Sequence, residues 1–208
     1  MRSISQYIKQ SKGDELNMKQ KLKWIIPALL LAAVLLSLAA IWVNNVRNAP
    51  YQFPENWDKI PMDKKDEMMQ IPEDTLEKMS TKTLIKMVLD CPCIFYLYIY
   101  TFDRMGFEAF TGSFNGIREL IQREDGAKAL FAHYLKEKKK GLEDGEYLNR
   151  IDCMEIMLAQ PEFSEKLSAE QLETLNELNP DESSKYQRAL DDVQEYIQYQ
   201  QKLQQEES

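Results

Sequence analysis

Histidine and cysteine are scarce in this sequence, which limits the chemistry that it can support. It contains one histidine and three cysteines among 208 residues. His133 and Glu137 stand four residues apart on the polar side of a predicted helix, but one imidazole and one carboxylate are too few ligands for a protein zinc site. Cys91-Pro-Cys93 is too tightly spaced for a zinc pair or a Cys-x-x-Cys redox pair. We therefore predict no metal and no cofactor, and interpret the cysteines as buried thiols.

One further hypothesis about the cysteines rests on location alone. A disulfide is permitted outside the cytoplasm, and an odd number of cysteines leaves one thiol over. A bond from Cys153 to either Cys91 or Cys93 is therefore a hypothesis for a domain that is exported.

Recognised catalytic motifs are also missing. Gly106, Gly112 and Gly116 fit neither Gly-x-Gly-x-x-Gly nor the Walker pattern, and turns between helices are the simpler interpretation of these glycines. No serine lies in a Gly-x-Ser-x-Gly elbow. The sequence identifies no catalytic residue, so a non-enzymatic interaction or structural module is favoured. A hydrolase whose acidic residues converge only in the fold is the alternative.

One long uncharged apolar segment, residues 24–43, dominates the sequence. About 20 apolar residues are enough to cross a bilayer as a helix. Trp24 and Trp42 stand 18 positions apart, which is roughly 27 Å along a helix, and tryptophan favours the two membrane–water interfaces. We therefore predict a transmembrane helix or signal anchor, with Lys23, Trp24 and Trp42 at the membrane interfaces.

The distribution of charge gives this segment a direction. Residues 1–43 contain six basic and two acidic residues, a net charge of +4, whereas the whole chain carries −8, which leaves −12 for the residues that follow. Lys19, Lys21 and Lys23 directly precede the span, which predicts a cytoplasmic tail over residues 1–23 and an extracytoplasmic bulk. A domain of −12 is a poor nucleic-acid binder, so the predicted partners are the bilayer and a protein at the cell surface.

Two features leave the fate of the segment open. Ser37 and Ala39 are small residues at the −3 and −1 positions for cleavage after Ala39, which would release a secreted binding protein. The apolar run exceeds the usual signal core of about 7–15 residues and continues past that site, which favours an uncleaved anchor. Met18 begins a segment that itself resembles an export signal, so both Met1 and Met18 are candidate starts.

After the apolar segment, the sequence predicts a linker, one all-α domain and a polar tail. Residues 44–61 contain three prolines with Tyr51, Phe53 and Trp57 between them, and such a linker either packs its aromatic side chains on the domain or presents them to a partner. Residues 62–199 show apolar stripes at helical spacing, typical of six or seven short helices. The clearest stripe, from Tyr186 to Ile197, lies on a helix that is predicted to fray in the tail, residues 200–208.

Residues 95–100 resist a simple interpretation, because they alternate aliphatic or Phe with Tyr. That period is typical of a half-buried strand, but no second convincing strand is present for it to pair with. We therefore predict a buried helix that begins after Pro92.

Two blocks carry a family resemblance. IPEDTLEKMSTKTLIKMVLD and FNGIRELIQREDGAK, residues 71–90 and 114–128, together with the export segment and connector, resemble an uncharacterised family of exported or membrane-anchored helical proteins from Gram-positive bacteria. The sequence departs from that family at Cys91-Pro-Cys93, where relatives carry an aromatic residue and Leu around the proline. The family has no assigned activity, so the resemblance implies architecture and export and carries over no functional residues.

The anchor prediction is tested by fractionating cells that produce the full chain. We expect the protein in the membrane fraction, resistant to alkaline extraction, because about 20 apolar residues hold a span in the bilayer. A product that is confined to the medium and begins at Ala40 would contradict the anchor.

Overall fold

The computed structural model describes residue 29, residues 31–140 and residues 145–206, and the chain divides into two units between Val46 and Arg47. Residues 31–47 belong to helix α1, which lies in the first unit except for its last residue, Arg47. Among the described residues, no helix has the length and hydropathy that crossing a membrane requires. The predicted span begins earlier, at Trp24, and Lys23, Trp24 and most of residues 25–30 lie outside the described residues. Trp42 lies on α1 and is 68% exposed.

In the described part of the second unit, all regular secondary structure is helical and no strand is present, which confirms the all-α class. A short 3-10 turn, Trp57–Lys59, precedes eleven α-helices in these residues. They are α2 (Met62–Met68), α3 (Glu73–Lys78), α4 (Thr81–Leu89), α5 (Tyr96–Ile99), α6 (Asp103–Ser113), α7 (Asn115–Gln122), α8 (Gly126–Lys138), α9 (Gly145–Ala159), α10 (Pro161–Ser164), α11 (Ala169–Leu178) and α12 (Lys185–Glu206). The predicted number of six or seven was too low, because single residues separate neighbours: Phe114 parts α6 from α7, and Gln160 parts α9 from α10.

Local sequence explains where several of these helices begin. The Ser80 side chain accepts a hydrogen bond from Thr83 N at the start of α4. Ser168 and Gln171 form a reciprocal capping box at the start of α11. These bonds satisfy backbone N–H groups that have no partner inside the helix.

The core lies where the central helices meet. Helix α9 packs against α8 and α12, and α4 packs against α7 and α8. The buried side chains of these helices lie at the helical spacing of the apolar stripes, since positions three and four apart share one face. Fully buried examples are Leu84 and Val88 of α4, Phe107 and Phe110 of α6, Leu120 of α7, Leu130 of α8 and Met154 and Leu158 of α9.

The start of the second unit packs onto the core. Ser80 N donates to Arg47 O at 2.8 Å, and Ser80 Oγ donates to Asn48 Oδ1 at 2.9 Å. Phe53 lies between Tyr51 and the buried Phe114, with ring centroids 5.5 and 5.9 Å away. Tyr51, Phe53 and Trp57 are partly buried against the core. Of the two interpretations of this segment, these contacts match the one in which its aromatic side chains pack on the domain.

Helix α5 differs from expectation in its burial. Residues 96–99 are helical, as predicted, but Leu97 is the buried residue of this short helix. Phe95, Tyr98 and Tyr100 are about 40% exposed and Ile99 is 59% exposed, so the prediction of a buried helix was wrong. A single turn of helix has one side against the core, and Leu97 occupies it, which leaves its neighbours facing solvent.

The interpretation of the glycines as turn residues was also wrong. Gly106 and Gly112 lie inside α6, and Gly116 lies inside α7. A Cβ atom on Gly106 would lie 2.5 Å from Tyr96 O and 3.1 Å from Leu97 Cα. Glycine is therefore required at residue 106 because the backbone of α5 passes directly over α6.

Two glycines of α6 make a matched pair for testing this contact. Gly106→Ala is expected to lower the free energy of unfolding by about 1–3 kcal/mol, because the added methyl group overpacks the α5–α6 contact. Gly112→Ala is the control, since a Cβ there meets nothing within 4 Å, and it is expected to raise stability by up to about 1 kcal/mol. Urea unfolding followed by circular dichroism measures both. Equal effects of the two substitutions would contradict the close approach.

Candidate functional site

An apolar groove runs between α6 and the second half of α12, and we call it the α6–α12 groove. It has a volume of about 260 Å³ and is mostly apolar. Its lining residues are Arg104 and Glu108 of α6, Pro161 of α10, and Val193, Tyr196, Ile197, Gln200, Gln201 and Gln204 of α12.

Arg104 holds the three helices around this groove together. Its guanidinium donates to Glu162 Oε2 of α10 at 2.7 Å and to Glu108 Oε1 of its own helix at 2.9 Å. Its backbone N donates to Asp192 Oδ2 of α12 at 3.2 Å. Burial lowers the pKa of Arg104, but the hydrogen bonds and charges of Glu162 and Glu108 outweigh it and raise the pKa. The cation is thus neutralised within the wall of the groove.

Helix α12 places buried side chains in the core of its own domain with its first half only. Tyr186, Ala189 and Val193 are buried, and Lys185 Nζ binds Asp103 Oδ1 at 2.9 Å. In the second half, Ile197 is 46% exposed and Tyr199 is 49% exposed. The helix continues to Glu206, so the predicted fraying from Gln200 is wrong for the described residues. Glutamine and lysine are good helix formers, which allows the helix to continue beyond its packed part.

The ring of Phe102 supports this second half at the start of α6. It lies 5.7 Å from the ring of Tyr196 and 6.1 Å from that of Tyr199. Tyr196 Oη also donates to Glu108 Oε2 at 3.1 Å. The exposed half of α12 is therefore held at a defined position beside the groove.

The single histidine lies in a second, polar pocket of about 310 Å³, which we call the His133 pocket. Four of its charged residues form two ion pairs: Arg150 donates to Asp90, and Lys140 Nζ lies 2.6 Å from Glu137 Oε2. Burial lowers the pKa of His133, and the nearby lysines add to this effect against the opposing charge of Glu137. The lining residues are Lys86, Leu89, Asp90, His133, Glu137, Lys140, Arg150 and Met154.

A buried polar cluster that the sequence analysis missed joins α8, α9 and α11, and we call it the Glu155 cluster. Glu155 Oε1 accepts from Tyr134 Oη at 3.0 Å and from Lys138 Nζ at 2.8 Å. Asn179 Nδ2 donates to Tyr134 Oη at 2.9 Å, and its Oδ1 accepts from Lys138 at 3.2 Å. Burial raises the pKa of Tyr134 to about 12. These groups satisfy one another, as a structural network requires. The one sequence signal is an acidic residue amid the apolar stretch of α9.

The three cysteines are buried. The hydrogen bond to Cys91, together with burial, raises the pKa of Cys93. Cys153 Sγ lies 3.1 Å from Tyr98 Oη, and burial raises the pKa of Cys153 to about 11. Thiols with raised pKa values are poor nucleophiles. The hypothesis of a disulfide between Cys153 and Cys91 or Cys93 stays a prediction.

Neither a metal-binding group nor a related protein assigns a function to these residues. Across the described residues, no group of three or more His, Cys, Asp or Glu side chains is placed to hold a metal ion. No protein-family model, curated protein or solved structure matches the chain.

The environment of His133 predicts a specific pH dependence of stability. Because the folded pKa is lowered from 6.5, the unfolded chain binds more protons between the two pKa values, and stability falls as pH drops below about 6.5. Thermal unfolding between about pH 5 and 7.5 measures this loss. The control is His133→Gln, which should show a smaller loss over the same range. Identical pH profiles for both proteins would contradict the burial of this imidazole.

Proposed function

We propose that this protein is a single-pass membrane protein whose acidic helical domain lies outside the cytoplasm and acts by binding a protein partner. The α6–α12 groove is the docking site. The observation that carries this proposal is an apolar groove beside the exposed second half of α12.

The chemistry of the groove defines the partner segment. Ile197 and Val193 provide apolar surface, and Gln200 and Gln204 provide amide donors and acceptors at the rim. One guanidinium, Arg104, stands against the two carboxylates of Glu108 and Glu162. Because the residues after Val43 also carry a net charge of −12, we expect a partner segment with an apolar face and basic flanking residues.

The anchor half of the proposal rests on residues 24–43 and on the side chains of α1. Apolar side chains on all sides of this helix are exposed, with values from 37% at Val46 to 72% at Leu36. A helix that is apolar all round requires an apolar environment. The lysines before the segment favour a cytoplasmic N-terminus. Cleavage after Ala39 would instead make the same domain a secreted binding protein.

A hydrolase is the second candidate, and the His133 pocket is the observation that favours it. A neutral imidazole beside Glu137 and Asp90 in a polar pocket is a recognised setting for a general base. However, Asp90 binds Arg150 and Glu137 binds Lys140, and these ion pairs occupy the carboxylates that would orient the imidazole. The groove therefore supports binding better than the pocket supports catalysis.

Photo-crosslinking in intact cells tests the docking site. A photoreactive amino acid replaces Gln204, which lines the groove, and in a second variant it replaces Glu173, which is exposed on α11. We expect a discrete crosslinked protein from residue 204, because a partner segment bound in the groove lies against this residue. We expect none from residue 173, because it lies outside the groove. Adding Ile197→Glu to the first variant should abolish the product, since it places a charge against the partner's apolar face.

The mass of the product separates the possible partners. A product whose added mass differs from that of this chain is a second protein docked in the groove and supports the proposal. Equal labelling from residues 204 and 173, or a product that persists with Ile197→Glu, would contradict docking at the groove.

A further inference from the structure

We propose that two copies of this chain pair through the solvent face of the second half of α12, in an antiparallel arrangement with two-fold symmetry. We call this surface the α12 outer face and define it by Glu195, Gln198, Tyr199, Lys202 and Leu203. It lies on the side of the helix opposite the α6–α12 groove, so the pairing leaves the docking site open.

The helical positions place these residues together. Glu195, Tyr199 and Lys202 are separated by four and three residues, so they share one face of the helix. The side chains are exposed, with Tyr199 at 49% and Leu203 at 36%. The contacts of Phe102 with Tyr196 and Tyr199 fix this part of the helix on the domain. A pairing partner therefore meets an ordered surface.

The charges on this face of one copy are complementary to those on the same face of a second copy in an antiparallel arrangement. A two-fold interface brings a patch against its own copy, so a patch with charges of one sign repels itself. Glu195 and Lys202 lie on either side of Tyr199 and carry opposite charges. In an antiparallel pair centred beside Tyr199, Glu195 of each copy faces Lys202 of the other. Gln198 lies near the two-fold axis, and its amide both donates and accepts hydrogen bonds.

The surrounding charge makes this face the favourable place for a second copy. The domain carries −12, so two copies repel each other over most of their surfaces. From residue 196 to residue 205, by contrast, Lys202 is the single charged residue and five residues are glutamine. Two copies can thus approach at this segment with little electrostatic cost.

The size of the face sets the strength of the pairing. The exposed half of the helix is a strip of roughly 18 Å by 10 Å, which is well below the area of about 800 Å² per partner in a standard interface. The pair is therefore weak in dilute solution and forms where a shared membrane raises the effective concentration. In this respect the inference rests on the proposed anchor.

Disulfide trapping in membranes that contain the full chain tests the pairing. Gln198→Cys places a thiol near the two-fold axis, and Glu173→Cys on α11 reports random collision. After mild oxidation, we expect a disulfide-linked dimer from residue 198 at least about fivefold above the level from residue 173. The native cysteines are buried and serve as a background in the unsubstituted chain.

Charge reversal then tests the register in the Gln198→Cys background. Glu195→Lys and Lys202→Glu each place like charges opposite one another at two symmetric points, and each should lower the dimer by about fivefold. The double variant restores opposite charges and should recover the original level. Glu173→Lys is the control for net charge and should leave the dimer unchanged.

The possible results separate this pairing from the proposed function. A double variant as poor as the single ones, or a dimer level at residue 198 equal to that at residue 173, would overturn the pairing. If either of these dimer results is obtained while the protein is in the membrane fraction and the groove crosslinks a partner, the pairing is overturned and the proposed function is not. Absence from the membrane fraction would instead overturn the anchor.

Discussion

The hydrogen bonds and ion pairs of Arg104 are the interactions on which the α6–α12 groove depends. This residue lies at the start of α6, and its guanidinium binds Glu162 of α10 and Glu108 of α6, while its backbone N–H binds Asp192 of α12. A partly buried cation requires such partners, since loss of solvation is costly unless the charge is paired. Meeting this requirement brings three helices together at fixed positions. The groove between them is a consequence of that arrangement.

The same arrangement divides α12 into two parts with different roles. Its first half fills the core through Tyr186, Ala189 and Val193, and its second half is free of core packing and is supported by Phe102. The sequence stripe from Tyr186 to Ile197 suited packing either within the chain or on another chain. The structure resolves this as a continuous helix that turns its stripe inward first and leaves Ile197 exposed. Binding surfaces on a rigid element of this kind hold their geometry better than surfaces on loops.

Features that depend on residues close together in the sequence were predictable, and features that depend on distant residues were not. The all-α class and the caps at Ser80 and Ser168 depend on neighbours three or four residues apart, which periodicity and capping rules capture. The need for glycine at residue 106 and the exposure of Ile99 depend on how α5 crosses α6, which no local pattern encodes. The α6–α12 groove was equally hidden, because Arg104 and Glu162 are 58 residues apart in the sequence. His133 was placed on the polar side of its helix, yet contacts from α4 and α9 were needed to enclose it in a pocket.

The Glu155 cluster limits which substitutions the chain can accept over time. Glu155 is 3% exposed, and Lys138 reaches it from α8 at 2.8 Å. A chain that loses the lysine and keeps the glutamate buries a charge without its partner, at a cost of about 3–5 kcal/mol. A chain that replaces both with apolar residues of similar volume avoids most of that cost. Substitutions at Lys138, Glu155 and Asn179 are therefore expected to occur together among descendants of this sequence.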